Sequence, residues 1–285
     1  MTRQDGSWHL NCTRFLTDFP GIDAMATSPR MKLLRSAAVF GLLLAVSTTS
    51  AHAQTQDKSA HPLTKAITIA KASLQKMKQI GDYQADLTKK EVVGRRAVSH
   101  QMKIKVRHEP FSVYLHFDNP SKGREVLYIE GQNNGHLLAH DVGLKALVGT
   151  VKLLPTSPMA MEDNRYPITK IGLVRTTEEL IKQWEAESKF GETEVKYYPT
   201  AKIDTIKCKV IESTHPRPRK QFQFKTSRLW IDAKTNLPIR IEHYGFPKDS
   251  KAKPPLVAQY TYRNLKPNLG MTDRDFDKNN PRYSF

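Results

Sequence analysis

Met102, Ile104 and Val106 are separated by Lys103, Lys105 and Arg107, so apolar and basic side chains alternate residue by residue. A period of two sends successive side chains to opposite faces of an extended chain, which predicts a strand with one dry and one basic, wet face. Phe111, Val113, Leu115 and Phe117 repeat the pattern against Ser112, Tyr114 and His116. Asn119 to Gly123 then predicts a turn, Arg124 to Glu130 a strand, and Asn133-Asn134-Gly135 a turn into a strand at His136 to His140. Connections this short imply antiparallel neighbours, because parallel ones need crossovers of about a dozen residues or more.

Helical spacing appears in three places. Leu63, Ala66, Ile67, Ala70, Leu74 and Met77 predict one amphipathic helix that ends before Gly81. Leu144, Leu147, Val148, Val151 and Leu154 return to that spacing and predict an apolar helical insertion, followed by a loop with Pro155, Pro158, Met159 and Met161. Thr176-Thr177-Glu178-Glu179 signposts a further helix, capped by Thr176 and running to about Lys189. Strands resume through 192–198, 203–213, 221–232, 237–244 and 256–265, with basic, Pro-rich connections at 215–220 and 246–255. Strands and helices do not alternate, so the class is α+β, with about ten strands.

Met31-Lys32-Leu33-Leu34-Arg35, the apolar run Ala37 to Val46 and Ala51-His52-Ala53 have the order of a secretion signal, with cleavage after Ala53. The apolar run is about half the roughly 20 residues that span a bilayer. Residues 1–30 then read as an upstream extension, 31–53 as the signal and 54–285 as a single exported domain, periplasmic or secreted. That domain keeps only Cys208, so no internal disulfide is expected and no cysteine stands ready for a lipid anchor. The net charge of +17 favours anionic surfaces, which outside the inner membrane are lipid headgroups, acidic glycans or acidic proteins and not nucleic acid.

At Leu229 to Arg240 and Tyr260 to Asn268, and again at Asp273-Arg274-Asp275-Phe276-Asp277, the chain resembles the superfamily of periplasmic lipoprotein carriers LolA and LolB. Asn164 to Thr169 with Ile171-Gly172-Leu173 resembles, more narrowly, the secreted bacterial domain-of-unknown-function family numbered 1571, placed near that superfamily. The resemblance covers essentially the whole exported part. It implies a strongly curved antiparallel sheet, an incomplete barrel, with helices on its concave face and an apolar cavity between them.

Within that frame Leu144, Leu147, Val148, Val151, Met159 and Met161 form a candidate lid, and Phe111, Val113, Leu115, Phe117, Phe222, Phe224 and Trp230 candidate cavity walls. Ordinary core packing is the competing reading of each. Two methionines in a Pro-flanked insertion suit a surface that repacks around variable chains. Arg217, Arg219, Lys220, Lys248, Lys251 and Lys253 are either solvated loop tips or cations that meet an anionic membrane face.

His136 and His140 share a strand face but lie roughly 13 Å apart, too far for one ion. Asp273-x-Asp275-x-Asp277 has Lys278 where a calcium loop needs Gly, and reads as a polar tail pinned by Phe276. Two Ser-x-x-Lys matches lack their companion motifs, and no other nucleophile, metal or nucleotide signature occurs. No enzyme, cofactor or metal is expected. The expected function is an exported binding or carrier module for an acyl chain, lipid or lipidated partner, monomeric by default. The alternatives are an enzyme acting on a cell-envelope polymer and an adaptor for anionic envelope surfaces. Terminal sequencing of exported protein should return Gln54 as the first residue; a product retaining residues 1–30 refutes the leader.

Overall fold

Register fixes the architecture. In the computed structural model, which describes residues 60–249 and 251–285, the strands are β1 (Asp82–Val93), β2 (Arg96–Arg107), β3 (Ser112–Asn119), β4 (Glu125–Ile129), β5 (Leu137–His140) and β6 (Thr150–Leu153). They continue as β7 (Glu194–Ile203), β8 (Ile206–Thr214), β9 (Thr226–Asp232), β10 (Pro238–Tyr244) and β11 (Leu256–Pro267). The helices are α1 (Leu63–Lys78), the single turn α2 (Pro158–Met161) and α3 (Leu173–Glu187). The expected extension and signal lie outside the described residues.

All eleven strands form one antiparallel sheet in the order β6-β5-β4-β3-β2-β1-β11-β10-β9-β8-β7. Two meanders, β1 to β6 and β7 to β11, are joined where β1 pairs with β11, and the sheet stays open with β6 and β7 at its edges. Register shifts interrupt the pairing at Gln84/Asp86, Gln101/Met102, Tyr198/Ala201, Pro238/Arg240 and His243/Tyr244. Such bulges bend a strand and raise its twist, which curves the sheet. The expected α+β fold, an open curved sheet carrying helices, is what the chain adopts.

The concave face is covered unevenly. Over β8 to β10, α1 and α3 lie side by side, and Leu63, Ala66, Ala70, Leu74, Leu180, Ile181 and Trp184 pack against Ile211, Leu229, Ile231 and Ile241. Trp184 is fully buried, and its indole N–H donates to Ser213 Oγ at 2.9 Å. Lys71–Glu185 at 2.6 Å and Lys78–Glu178 at 2.7 Å tie the outer sides of the two helices together. Among the described residues no long helix lies over β3 to β6, only the chain from Gly143 to Gly172.

Three local readings differ from expectation. The apolar insertion is not one helix: residues Gly143–Val148 form a 3-10 turn, and β6 follows. Gly149 sits between them at φ 70°, ψ −155°, a conformation only glycine holds without strain, and β-branched Thr150 and Val151 then favour the strand. α3 starts a turn earlier than its Thr-Thr-Glu-Glu signal, so Thr176 and Thr177 are helical and donate back to Gly172 and Leu173 carbonyls at 2.8 and 2.6 Å. The outer face of β3 is not wet, because the C-terminal segment crosses it. Phe276 is fully buried against Tyr114, Leu127, Ile129 and Leu138, and Asp82 accepts the N–H groups of Leu269 and Met271 at 2.6 and 2.9 Å.

Replacing Trp184 with Ala removes the largest side chain between the helices and the sheet. The expected cost is about 3–5 kcal/mol in urea unfolding; a loss under about 1 kcal/mol contradicts the packing of Trp184 between helices and sheet.

Candidate functional site

Where none of the described helices covers the sheet, a cavity of about 480 Å³ remains. Parity builds its wall: Leu115 and Phe117 of β3, Val126 of β4, Leu137 and Ala139 of β5, and Val151 and Leu153 of β6 all face it. Opposite stand Pro155, Met159, Ala160, Tyr166, Ile168 and Ile171, contributed by the chain between β6 and α3. Across Ile171 lies a second, mixed-charge cavity of about 370 Å³, bordered by Lys78, His108, Glu109, Arg175 and Glu178.

One side of the main cavity is polar. Lys89 and Glu91 of β1 and Tyr260 of β11 border it together with Asp163 and Asn164. Lys89 and Glu91 are 5% and 4% exposed, and a buried pair this deep needs every donor and acceptor met. Lys89 Nζ donates to Glu91 Oε2 at 3.2 Å, to the Asp163 carbonyl at 3.2 Å and to Asn164 Oδ1. Glu91 also accepts the Tyr260 hydroxyl and, at 3.0 Å, the Arg165 N–H. Arg96 of β2 adds a bond to the Glu162 carbonyl at 2.7 Å and an ion pair with Asp163 at 3.1 Å. Residues 162–165 are thereby pinned to the β1–β2 hairpin.

Burial pushes the Lys89 ammonium below its ordinary value, opposed by the Glu91 carboxylate beside it. Tyr260 is pushed up by burial and by the same carboxylate. His100, next to Lys89 in register and edge-on to Phe117 at 5.4 Å, is lowered to about 4 by burial and the Lys89 charge. At the mouth Arg124 grips Asp141 through two hydrogen bonds of 3.0 and 2.8 Å. Burial alone would raise the Asp141 carboxyl, but those bonds and the Val142 N–H hold it low.

The sequence-predicted residues divide. Val148, Val151 and Met159 border the cavity, as do Leu115 and Phe117. Leu144 and Leu147 project into solvent beyond the mouth, 87% and 86% exposed, and Met161 is half-buried. Phe111 and Val113 lie deeper in the same core cluster. Phe222 and Phe224 are buried elsewhere, stacked on His215 at 3.8 Å and His243 at 4.3 Å. Trp230 lies on the outer face, where its indole N–H donates to Glu242 Oε2 at 3.1 Å and Arg240 covers its ring. Arg217 and Arg219 both close on Glu192, whose carboxyl their hydrogen bonds hold at about 2, Arg219 contributing most. Lys220, Lys248, Lys251 and Lys253 are exposed.

Sequence reasoning missed the polar wall. The signal was there, since Lys89 and Glu91 share parity with Tyr83, Ala85 and Leu87 on the dry face of β1. Among the described residues no cluster of His, Cys, Asp or Glu is placed to hold a metal ion.

A family model described as "Protein of unknown function (DUF1571)" matches residues 80–285. No curated protein matches the chain. Among solved structures, the lipoprotein LppX of Mycobacterium tuberculosis is similar at 12% identity and TM-score 0.43, over 75% of this chain and 98% of that one. A DUF1329 family protein from Desulfovibrio piger is similar at 13% identity and TM-score 0.38, over 76% and 98%. A LolA superfamily protein from Nitrosomonas europaea is similar at 13% identity and TM-score 0.30, over 73% and 97%.

Lys89→Met leaves the Glu91 carboxylate buried without its cation and should cost about 3–5 kcal/mol in denaturant unfolding. Lys89→Met combined with Glu91→Leu should recover most of that loss; a double variant as unstable as the single refutes the pairing.

Proposed function

We propose that the chain, which belongs to the DUF1571 family, is an exported, non-enzymatic carrier that holds an acyl chain, free or attached to a lipidated partner, in its half-barrel cavity. The observation that carries this reading is the hollow itself, about 480 Å³ walled by Leu115, Phe117, Val126, Leu137, Ala139, Val151 and Leu153. A volume of this size lies within the roughly 300–1,000 Å³ of small-molecule sites. Each methylene moved from water into such a space contributes about 0.8 kcal/mol, so a chain of ordinary length binds without any covalent step.

The polar wall limits how the occupant lies. Lys89 spends its three N–H donors on Glu91, Asp163 and Asn164, so the methyl end of an acyl chain has no reason to approach it. The chain would instead run along β3 to β6, with its polar end towards the mouth where Arg124 and Lys145 stand. Met159 opposite supplies an unbranched, adaptable surface for chains of different length.

Native mass spectrometry of protein purified from its own periplasm should find co-purified lipid. Val151→Asp together with Met159→Asp places charge at the cavity and should abolish that adduct while the far-ultraviolet circular dichroism stays as in the wild type. Equal loading in the variant refutes the cavity as the binding site.

A further inference from the structure

The strand register gathers five connections at one end of the sheet. Glu91 lies beside Ala258, Ala258 beside His243, His243 beside Ser227 and Ser227 beside Ser213; Gln101 lies beside Asn119, and Glu125 beside His140, which faces Thr150. The β1–β2, β3–β4, β5–β6, β8–β9 and β10–β11 connections therefore all emerge together. Four of them carry Lys122, Lys145, Lys220, Lys248, Lys251 and Lys253, and the acids among them are Asp141 and Asp249. The ion pairs at this end use other residues: Arg96 with Asp163, Arg124 with Asp141, and Arg217 and Arg219 with Glu192. The connections at the opposite end carry Glu109, Glu130, Asp204 and a single lysine, Lys234.

From the basic end projects the 3-10 turn Gly143–Val148, with Leu144 87%, Leu147 86% and Val148 73% exposed. Lys145 stands between the two leucines, and Lys145, Val148 and Gly149 also border the cavity mouth. Bulky apolar side chains held in water mark an interaction surface, and cations spread around them match a plane of negative charge. The cations come from four separate connections, which an extended anionic surface meets together and a compact partner meets only in part.

We propose that this end of the half-barrel docks on an anionic lipid bilayer, with Leu144, Leu147 and Val148 entering the headgroup region and the surrounding lysines meeting lipid phosphates. An acyl chain then passes between bilayer and cavity mouth without crossing bulk water. The inference rests on the carrier reading above and names the surface from which the occupant is drawn.

Sedimentation with vesicles tests it. Binding to phosphatidylcholine vesicles containing phosphatidylglycerol should exceed binding to phosphatidylcholine alone by about tenfold or more at low salt, and should weaken as salt rises. Leu144→Gln with Leu147→Gln, both at solvent-exposed positions, should lower that binding by about tenfold and leave thermal unfolding unchanged. Tryptophan placed by Leu147→Trp should shift its emission to the blue on vesicle addition and be quenched by brominated lipid. Equal binding to both vesicle types, undiminished binding of the double variant, or an emission that does not move overturns the proposal. Concentration-dependent self-association abolished by the same double variant overturns it too, and assigns the tip to a second copy of the chain. If vesicles are not bound while native mass spectrometry still finds lipid in the protein, the docking end fails alone; if neither is seen, both readings fail.

Discussion

The pairing of β1 with β11 is the constraint on which the rest depends. It is the contact of longest sequence separation in the sheet, and it fuses two meanders that would otherwise each have an open edge there. It also makes the polar wall: in its register Lys89 faces Tyr260 and Glu91 faces Ala258, so the Tyr260 hydroxyl reaches the Glu91 carboxylate from the neighbouring strand. A slip of one residue would turn one strand over relative to the other and leave Lys89 and Glu91 on the opposite face from Tyr260. The same pairing sets the two halves of the concave surface side by side, one for the helices and one for the cavity.

Why one half fills and the other does not follows from element length. α1 and α3 each present several turns of apolar side chains, and two such helices cover β8 to β10 with buried side chains. The chain between β5 and α3 has no comparable element. Gly149 cuts its apolar run after one 3-10 turn, β6 takes the next four residues, and α2 is a single turn. Irregular chain bridges a curved face without sending enough side-chain volume into it.

That same irregularity marks the limit of what the sequence discloses. Period-two alternation located most of the strands, and short turns gave their antiparallel order, because both signals are local. Helical spacing at Leu144 to Leu154 misled, since a period cannot register one glycine that needs a positive φ. The wall residues Leu115 and Phe117 were legible from parity, whereas Phe222, Phe224 and Trp230 were not separable from them, because facing the cavity depends on which half of the sheet a strand joins. The burial of Tyr114 under Phe276 depends on a contact across more than half the chain, which no window of sequence contains. Lys89 and Glu91 were passed over for a physical reason: charged residues are read as solvated until a partner strand supplies their hydrogen bonds.

The cover over the cavity is mechanically unequal along its length. Residues 162–165 are held by Lys89, Glu91 and Arg96 through bonds that are mostly half-buried, and such bonds are costly to break because each leaves a charge or amide without a partner. The stretch from Gly143 to Gly149 has no such side-chain bonds: its leucines touch water, and glycines at positive φ stand at both ends. Local opening favours segments with few buried contacts, so the hollow should open beside the 3-10 turn and stay shut beside the pinned residues. The Arg124–Asp141 grip lies at the base of that turn and ties the strand ends together. On the carrier function proposed above, an occupant would enter and leave at the basic end of the sheet.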